Sequence, residues 1–206
     1  MAEIKIEIEN VIEALPEIKV GLDKYTYLKQ QVQLVVVSQD EQFQKKYNSF
    51  FRLSLRRFEN FSFKEFSTDY YTFMEQHKTD KELSFEKILT HFYERFNTIE
   101  ASFSSKLLAI IDREMPVWDT HVINKLNLKK PKKERLIKPV DKLLKPFVDL
   151  YSEIFECYKD FLKTDEANHW IKLFDELYPN NGITSVKKID FILWQIGKIE
   201  NKKQKK

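Results

Sequence analysis

Apolar residues recur every three or four positions along most of this chain, the spacing of one buried helical face. From Asp40 the segment DEQFQKKYNSFFRLSLRRF places Phe43, Tyr47, Phe50, Phe51 and Leu55 on one stripe with its charges opposite. Ser62 opens a second helix carrying Phe63, Phe66, Tyr70, Phe73 and Met74. Ser84 opens a third, with Phe85, Ile88, Leu89, Phe92 and Phe96. Leu107, Leu108, Ile110 and Ile111 are apolar on most sides, which predicts a helix at the centre of the fold. Later helices are predicted from Phe147 (Leu150, Ile154, Tyr158, Phe161), from Asp165 (Trp170, Leu173, Phe174, Leu177) and after a Ser185 cap (Ile189, Ile192, Leu193, Ile196), the last ending at Gly197. Pro139 and Pro146 predict a late start or a kink for the first of these. Pro179-Asn180-Asn181-Gly182 is a strong turn.

The first forty residues are less regular. Ile4 to Ile8 alternates as a short strand does, while Glu9 to Leu15 suits a helical turn equally well. Asp23 is a cap candidate for a helix whose end is weakened by the β-branched run Val35-Val36-Val37.

Composition supports an all-α, compact multi-helix domain. The 206 residues are 42% hydrophobic, enough for one substantial core, and only 3 Gly and 6 Pro leave little material for hairpin-rich folds. The 17 Phe and 9 Tyr fit helices packed through large rings. The single Cys157 excludes an internal disulfide and a cysteine-ligated metal within the chain, and fits a reducing cytoplasm. Neither a signal-peptide pattern nor an apolar run long enough to span a bilayer is present, so a soluble, cytoplasmic protein with no membrane partner is expected. His77, His91, His121 and His169 lack metal-ligand spacing; no metal and no cofactor are expected.

The net charge of +3 becomes informative only through its distribution. After Leu128 the chain reads KKPKKERLIKPVDKLLK, a basic stretch whose Lys129, Lys130, Lys132, Lys133 and Arg135 are candidates for phosphate contacts; a solvated lysine face is the plain alternative. The tail 198–206 is basic and polar and is expected to be disordered.

One stretch carries chemistry. Val117-Trp118-Asp119-Thr120-His121-Val122 follows the apolar helix Lys106 to Ile111 and a Pro-led approach, Met115-Pro116. It resembles the V-D-T-H-V segment of the endonuclease III branch of the helix-hairpin-helix DNA glycosylases. The resemblance covers about residues 40–197 in architecture, after an N-terminal segment 1–39, and its motif is far shorter. It implies a glycosylase-like fold, DNA as partner, base excision in DNA repair, and Asp119 as the carboxylate that stabilises an oxocarbenium-like transition state or activates water. Phe191-Ile192-Leu193-Trp194 is similar to the late helix with a buried Trp in related helical proteins.

The chain departs from that family where the hairpin should be: Thr98-Ile99-Glu100-Ala101-Ser102 has no glycine, and Glu100 would repel a phosphate. The alignment puts Ser104 or Ser105 in the place of the lyase lysine, so Lys106 is not read as a nucleophile. An Asp at a helix start is also explained as an N-cap; Trp118 could stack on a base, but beside an apolar helix a Trp is more often core, and His121 is read as a packing or supporting residue rather than a ligand. The alternative function is a non-catalytic helical scaffold that binds another protein.

Overall fold

The helix Ala101–Ile111 (α6 below) has no solvent face worth the name: Ala101 and every residue from Phe103 to Ile110 are buried. A helix buried nearly all round sits inside the fold, and α6 carries Ser104, Ser105 and Lys106 into it along with its apolar residues. The computed structural model describes residues 4–55, 57–132 and 139–204, and among them the regular elements are helices alone. In chain order they are α1 (Ile8–Ala14), α2 (Lys19–Gln31), α3 (Glu41–Phe51), α4 (Phe63–His77), α5 (Phe85–Phe96), α6, α7 (Thr120–Lys125), α8 (Val140–Phe161), α9 (Asp165–Leu177) and α10 (Ser185–Lys203). Single 3-10 turns occupy Leu15–Ile18 and Leu53–Leu55. None of the helices is long and apolar enough to cross a membrane, among the described residues.

Local capping chemistry sets most helix starts. Asp40 accepts from the Phe43 N–H at 2.7 Å, and Ser84 from the Lys87 N–H at 3.1 Å. Ser62 and Glu65 cap α4 reciprocally, the hydroxyl on the Glu65 N–H and the carboxylate on the Ser62 N–H. The expected faces follow: Phe43 and Tyr47 on α3, Phe66, Tyr70 and Met74 on α4, and Ile88, Leu89 and Phe92 on α5 are buried in one continuous core.

Several expectations are resolved or corrected. The ambiguous N-terminus is helical from Ile8, and Val11 and Ala14 are buried. Asp23 does not begin α2; the turn Leu15–Ile18 feeds straight into the helix at Lys19, and Asp23 pairs with Lys19 one turn in. The last helix is capped by Thr184, not Ser185, and does not stop at Gly197. It runs to Lys203 because partners elsewhere hold it: Lys125 pairs with Glu200, Lys203 with Glu13 at 2.7 Å, and the Asn201 amide meets His121 Nδ1 at 3.1 Å. Residues 198–203 are therefore helix where a disordered tail was expected. Pro139 and Pro146 bear on α8 differently: the helix begins immediately after the first and continues through the second.

Candidate functional site

The loop 112–118 connects α6 to Asp119, and side chains from α6, α8 and α10 with its cap Thr184 fix its backbone. The Thr184 hydroxyl donates to the Arg113 carbonyl at 2.8 Å. Lys187 Nζ donates to the Met115 carbonyl at 2.7 Å. The Tyr151 hydroxyl donates to the Pro116 carbonyl at 2.8 Å. Asp190 Oδ1 accepts from the Val117 N–H at 3.4 Å, and Ser105 Oγ from the Trp118 N–H at 2.9 Å. Each satisfies a backbone group that burial would otherwise leave unpaired. A loop held at five successive places presents its last residue in one position.

Lys187 and Asp190 are the centre of that arrangement. They lie one turn apart on α10, bonded at 2.7 Å, and their residues are only 3% and 8% exposed. The Tyr158 hydroxyl donates to the same carboxylate at 2.7 Å. A buried ion pair with all its remaining bonds filled is tolerated; a half of it is not.

Asp119 caps α7, accepting from the His121 N–H at 2.8 Å, and remains partly exposed. It lines a partly open cavity of about 310 Å³ bounded by α2, the end of α3, α6, the start of α7 and α10. Lys106, Arg52, Lys187 and Asp190 supply the other charges of its wall, and Phe50, Phe191 and Trp194 supply rings. The periodicity of α10 explains its share: positions 187, 190, 191 and 194 fall on one face. Arg52 stands exposed in the left-handed conformation (φ 57) that ends α3.

Lys106 enters the cavity from the central helix. Its ammonium donates to the Phe51 carbonyl at 3.2 Å and lies 5.3 Å from the Phe103 ring centroid. Burial pulls its pKa down from 10.5 to about 8; the Asp119 charge opposes that fall and Arg52 adds to it. At pH 7 the amine is therefore mostly charged, and roughly a tenth of molecules carry it neutral. Ser104 and Ser105, which the alignment puts in the place of the lyase lysine, are fully enclosed, and Ser105 Oγ accepts from the Trp118 N–H.

The other sequence candidates divide. Trp118 is in the core, 4% exposed, its ring near-parallel to Phe85 (6.2 Å, 7°) and to Phe147 (6.2 Å, 26°). Packing is its place here, and it does not line the cavity. Trp194, expected buried, is the tryptophan of the cavity wall, with Lys198 Nζ 4.9 Å from its ring centroid. His121 lines the cavity and packs against Gly197 so closely that a Cβ there would meet it at 2.6 Å. That contact is why a glycine sits inside α10. Gly197→Ala should displace His121 and lower stability by about 1–3 kcal/mol, read from denaturant unfolding; an unchanged midpoint would show that α7 shifts without cost.

Of the basic stretch, Lys129, Lys130 and Lys132 are exposed, and Lys130 reaches the Thr120 hydroxyl at the cavity mouth at 2.6 Å. Lys133 and Arg135 fall outside the described residues. The hairpin position is a short connection between α5 and α6 in which Asn97 (φ 51) adopts the left-handed conformation a glycine would otherwise supply. Glu100 there is buried, accepting from the Thr98 hydroxyl at 2.8 Å. Among the described residues no group of three or more His, Cys, Asp and Glu is placed to hold a metal ion.

Sequence reasoning did not single out Arg52, Tyr25, Lys187 or Asp190. A signal existed for two of them. Lys187 and Asp190 are charges inside an otherwise apolar helix, and buried charges are rare unless paired. Compared with protein-family models, curated proteins and solved structures, the chain gives no match in any of the three.

Proposed function

We propose that this cavity binds a nucleobase or nucleoside of DNA and cleaves its N-glycosidic bond. The observation that carries the reading is a carboxylate and a buried amine of lowered pKa lining one aromatic-walled cavity, Asp119 and Lys106. Asp119 sits at the mouth, where its charge stabilises positive charge developing on a sugar. Lys106 is the nucleophile: its neutral amine forms a bond to C1′ as the bond from C1′ to the base breaks. The base leaves with the bonding electron pair, and Asp119 takes the proton shed by the amine and passes it to the departing base. Phe50 and Trp194 offer ring faces for stacking, and Arg52 and Lys130 add positive charge at the rim for phosphates.

The scaffold reading requires a contiguous apolar patch. Among the described residues the exposed large apolar side chains are Ile12, Val20, Leu34, Val36, Val140 and Leu177, which come from α1, α2, the turn after α2, α8 and α9. None borders the cavity. The charge collected there favours a polar ligand.

The test is base release from a panel of duplexes carrying single damaged or mismatched bases, the wild-type chain beside Asp119→Asn. Wild type should release a base, and Asp119→Asn should be slower by about a hundredfold or more. Duplex binding should weaken steeply with salt. Equal rates for the two proteins on every substrate, or binding indifferent to salt, would remove the proposal.

A further inference from the structure

His121 lines the cavity two residues after Asp119, and the chemistry assigned to Asp119 and Lys106 gives it no task. Its placement is nonetheless specified twice by α10. Gly197 leaves room for the ring, whose Cβ, Nδ1 and Cγ would stand 2.6 to 2.9 Å from a Cβ at that position. One turn further along the same face, the Asn201 amide nitrogen lies 3.1 Å from His121 Nδ1. Nε2 is the ring atom opposite the Cγ–Nδ1 edge, so it is turned away from both contacts. It has no partner among the described residues, where the bond to Asn201 is the ring's own. The fully buried side-chain polar atoms without a partner there are the Tyr25 hydroxyl, Trp170 Nε1 and the Gln195 amide. Nε2 of the half-buried His121 is not one of them, so solvent reaches it.

The bond to Asn201 decides what Nε2 offers. An amide NH2 donates and has no lone pair to give, so Nδ1 accepts and the proton of the neutral imidazole is on Nε2. Nε2–H is then a neutral donor with a free proton on a residue of the cavity wall. Positive charge for phosphates is already supplied by the exposed Arg52 and Lys130. A neutral donor sharing a cavity with the rings of Phe50, Phe191 and Trp194 suits a neutral acceptor on a planar ring.

We infer that Asn201 is a positioning residue that fixes His121 as the Nε2–H tautomer, and that His121 thereby donates to a carbonyl oxygen or ring nitrogen on the edge of a bound nucleobase. The ligand class rests on the base-excision reading; the tautomer rests on the bond to Asn201 alone. Asn201 lies beyond the region resembling glycosylases, in the helical end of α10 where a disordered tail was expected. A carboxylate in its place accepts where the amide donates. Asn201→Asp therefore moves the proton to Nδ1 and turns a lone pair of Nε2 toward the lone pair of the ligand. Asn201 is exposed, so the exchange leaves the core untouched.

The experiment follows the His121 ring nitrogens by NMR in the full chain with isotope-labelled histidine, at about pH 9, where imidazole is ordinarily neutral. The parent should show Nε2 protonated and Nδ1 bare. Thymidine should shift the Nε2–H resonance, and inorganic phosphate should leave it in place. Asn201→Asp should carry the proton on Nδ1 and bind thymidine about fivefold more weakly; His121→Phe, which keeps a ring without a donor, should lose a similar factor. A parent protonated on Nδ1, an Nε2–H indifferent to thymidine at millimolar concentration, a response to phosphate in place of thymidine, or thymidine binding by either variant equal to the parent's would overturn the inference. A thymidine response without base release from any duplex retires the excision reading alone; base release with an Nε2–H indifferent to thymidine retires the donor role alone.

Discussion

Lys187→Met unfolds about 3–5 kcal/mol more easily than the parent chain, the largest loss expected from any single substitution outside the apolar core. The methylene stem is matched, so little packing is lost; the ammonium is what disappears. Asp190 then keeps a negative charge in a site only 8% exposed, with the Tyr158 hydroxyl and the Val117 N–H as its remaining partners. The Met115 carbonyl loses its donor as well. The double variant Lys187→Met with Asp190→Leu recovers part of the loss, because the unbalanced charge is gone, but not all of it, because Met115, Val117 and Tyr158 still lack partners. Chemical denaturation with unchanged m-values reads both effects. A loss below about 1 kcal/mol for the single variant would mean that the loop before Asp119 is not held by α10.

Lys106→Met moves stability the other way. The folded chain holds Lys106 with a pKa near 8, against 10.5 for the free side chain. A lysine whose folded pKa is depressed binds fewer protons folded than unfolded between those values. Stability of the parent therefore rises as pH climbs from about 8 to 10.5 and is lowest below 8, where the buried charge is fully present. The gap corresponds to about 3 kcal/mol. Lost contacts to the Phe51 carbonyl and the Phe103 ring offset part of the gain from removing the charge. At pH 7 Lys106→Met should be about 1–3 kcal/mol more stable than the parent, and the advantage should vanish above pH 10.5. Unfolding curves taken at pH 7 and near pH 10.5 suffice. A destabilised variant at pH 7, or a difference independent of pH, would show that the amine is not buried at a cost. A group kept against stability is what a reactive site is expected to contain.

How much of this was legible in the chain follows from how local each signal is. The caps at Asp40, Ser62 and Ser84 act within four residues, so sequence alone places three helix starts. The apolar block at Leu107 to Ile111 announces the central helix because nothing but burial accounts for it. Asp119 at a helix start was legible both as cap and as carboxylate; it caps α7 and also lines the cavity. Gly197 was misread because a glycine near a helix end ordinarily marks a stop; here it makes room for His121, seventy-six positions earlier, which no local pattern encodes. The Lys187–Asp190 pair is legible as a pair, but its loop partners Met115 and Val117 are tertiary facts. Trp194 was expected buried and faces the cavity for the same reason: like Trp118, which packs in the core, it lies on a short apolar run, and only packing decides which ring faces the cavity.

The most direct test of the account is covalent. A duplex carrying one abasic site is incubated with the chain and sodium cyanoborohydride, which reduces an imine between a protein amine and the sugar aldehyde to a stable bond. Trapping should map to Lys106 by mass spectrometry, disappear in Lys106→Met, and rise with pH to a midpoint near 8, as the amine loses its proton. Adducts spread over Lys129, Lys130 and Lys132, or trapping that survives in Lys106→Met, would contradict the assignment of this cavity as the reacting site.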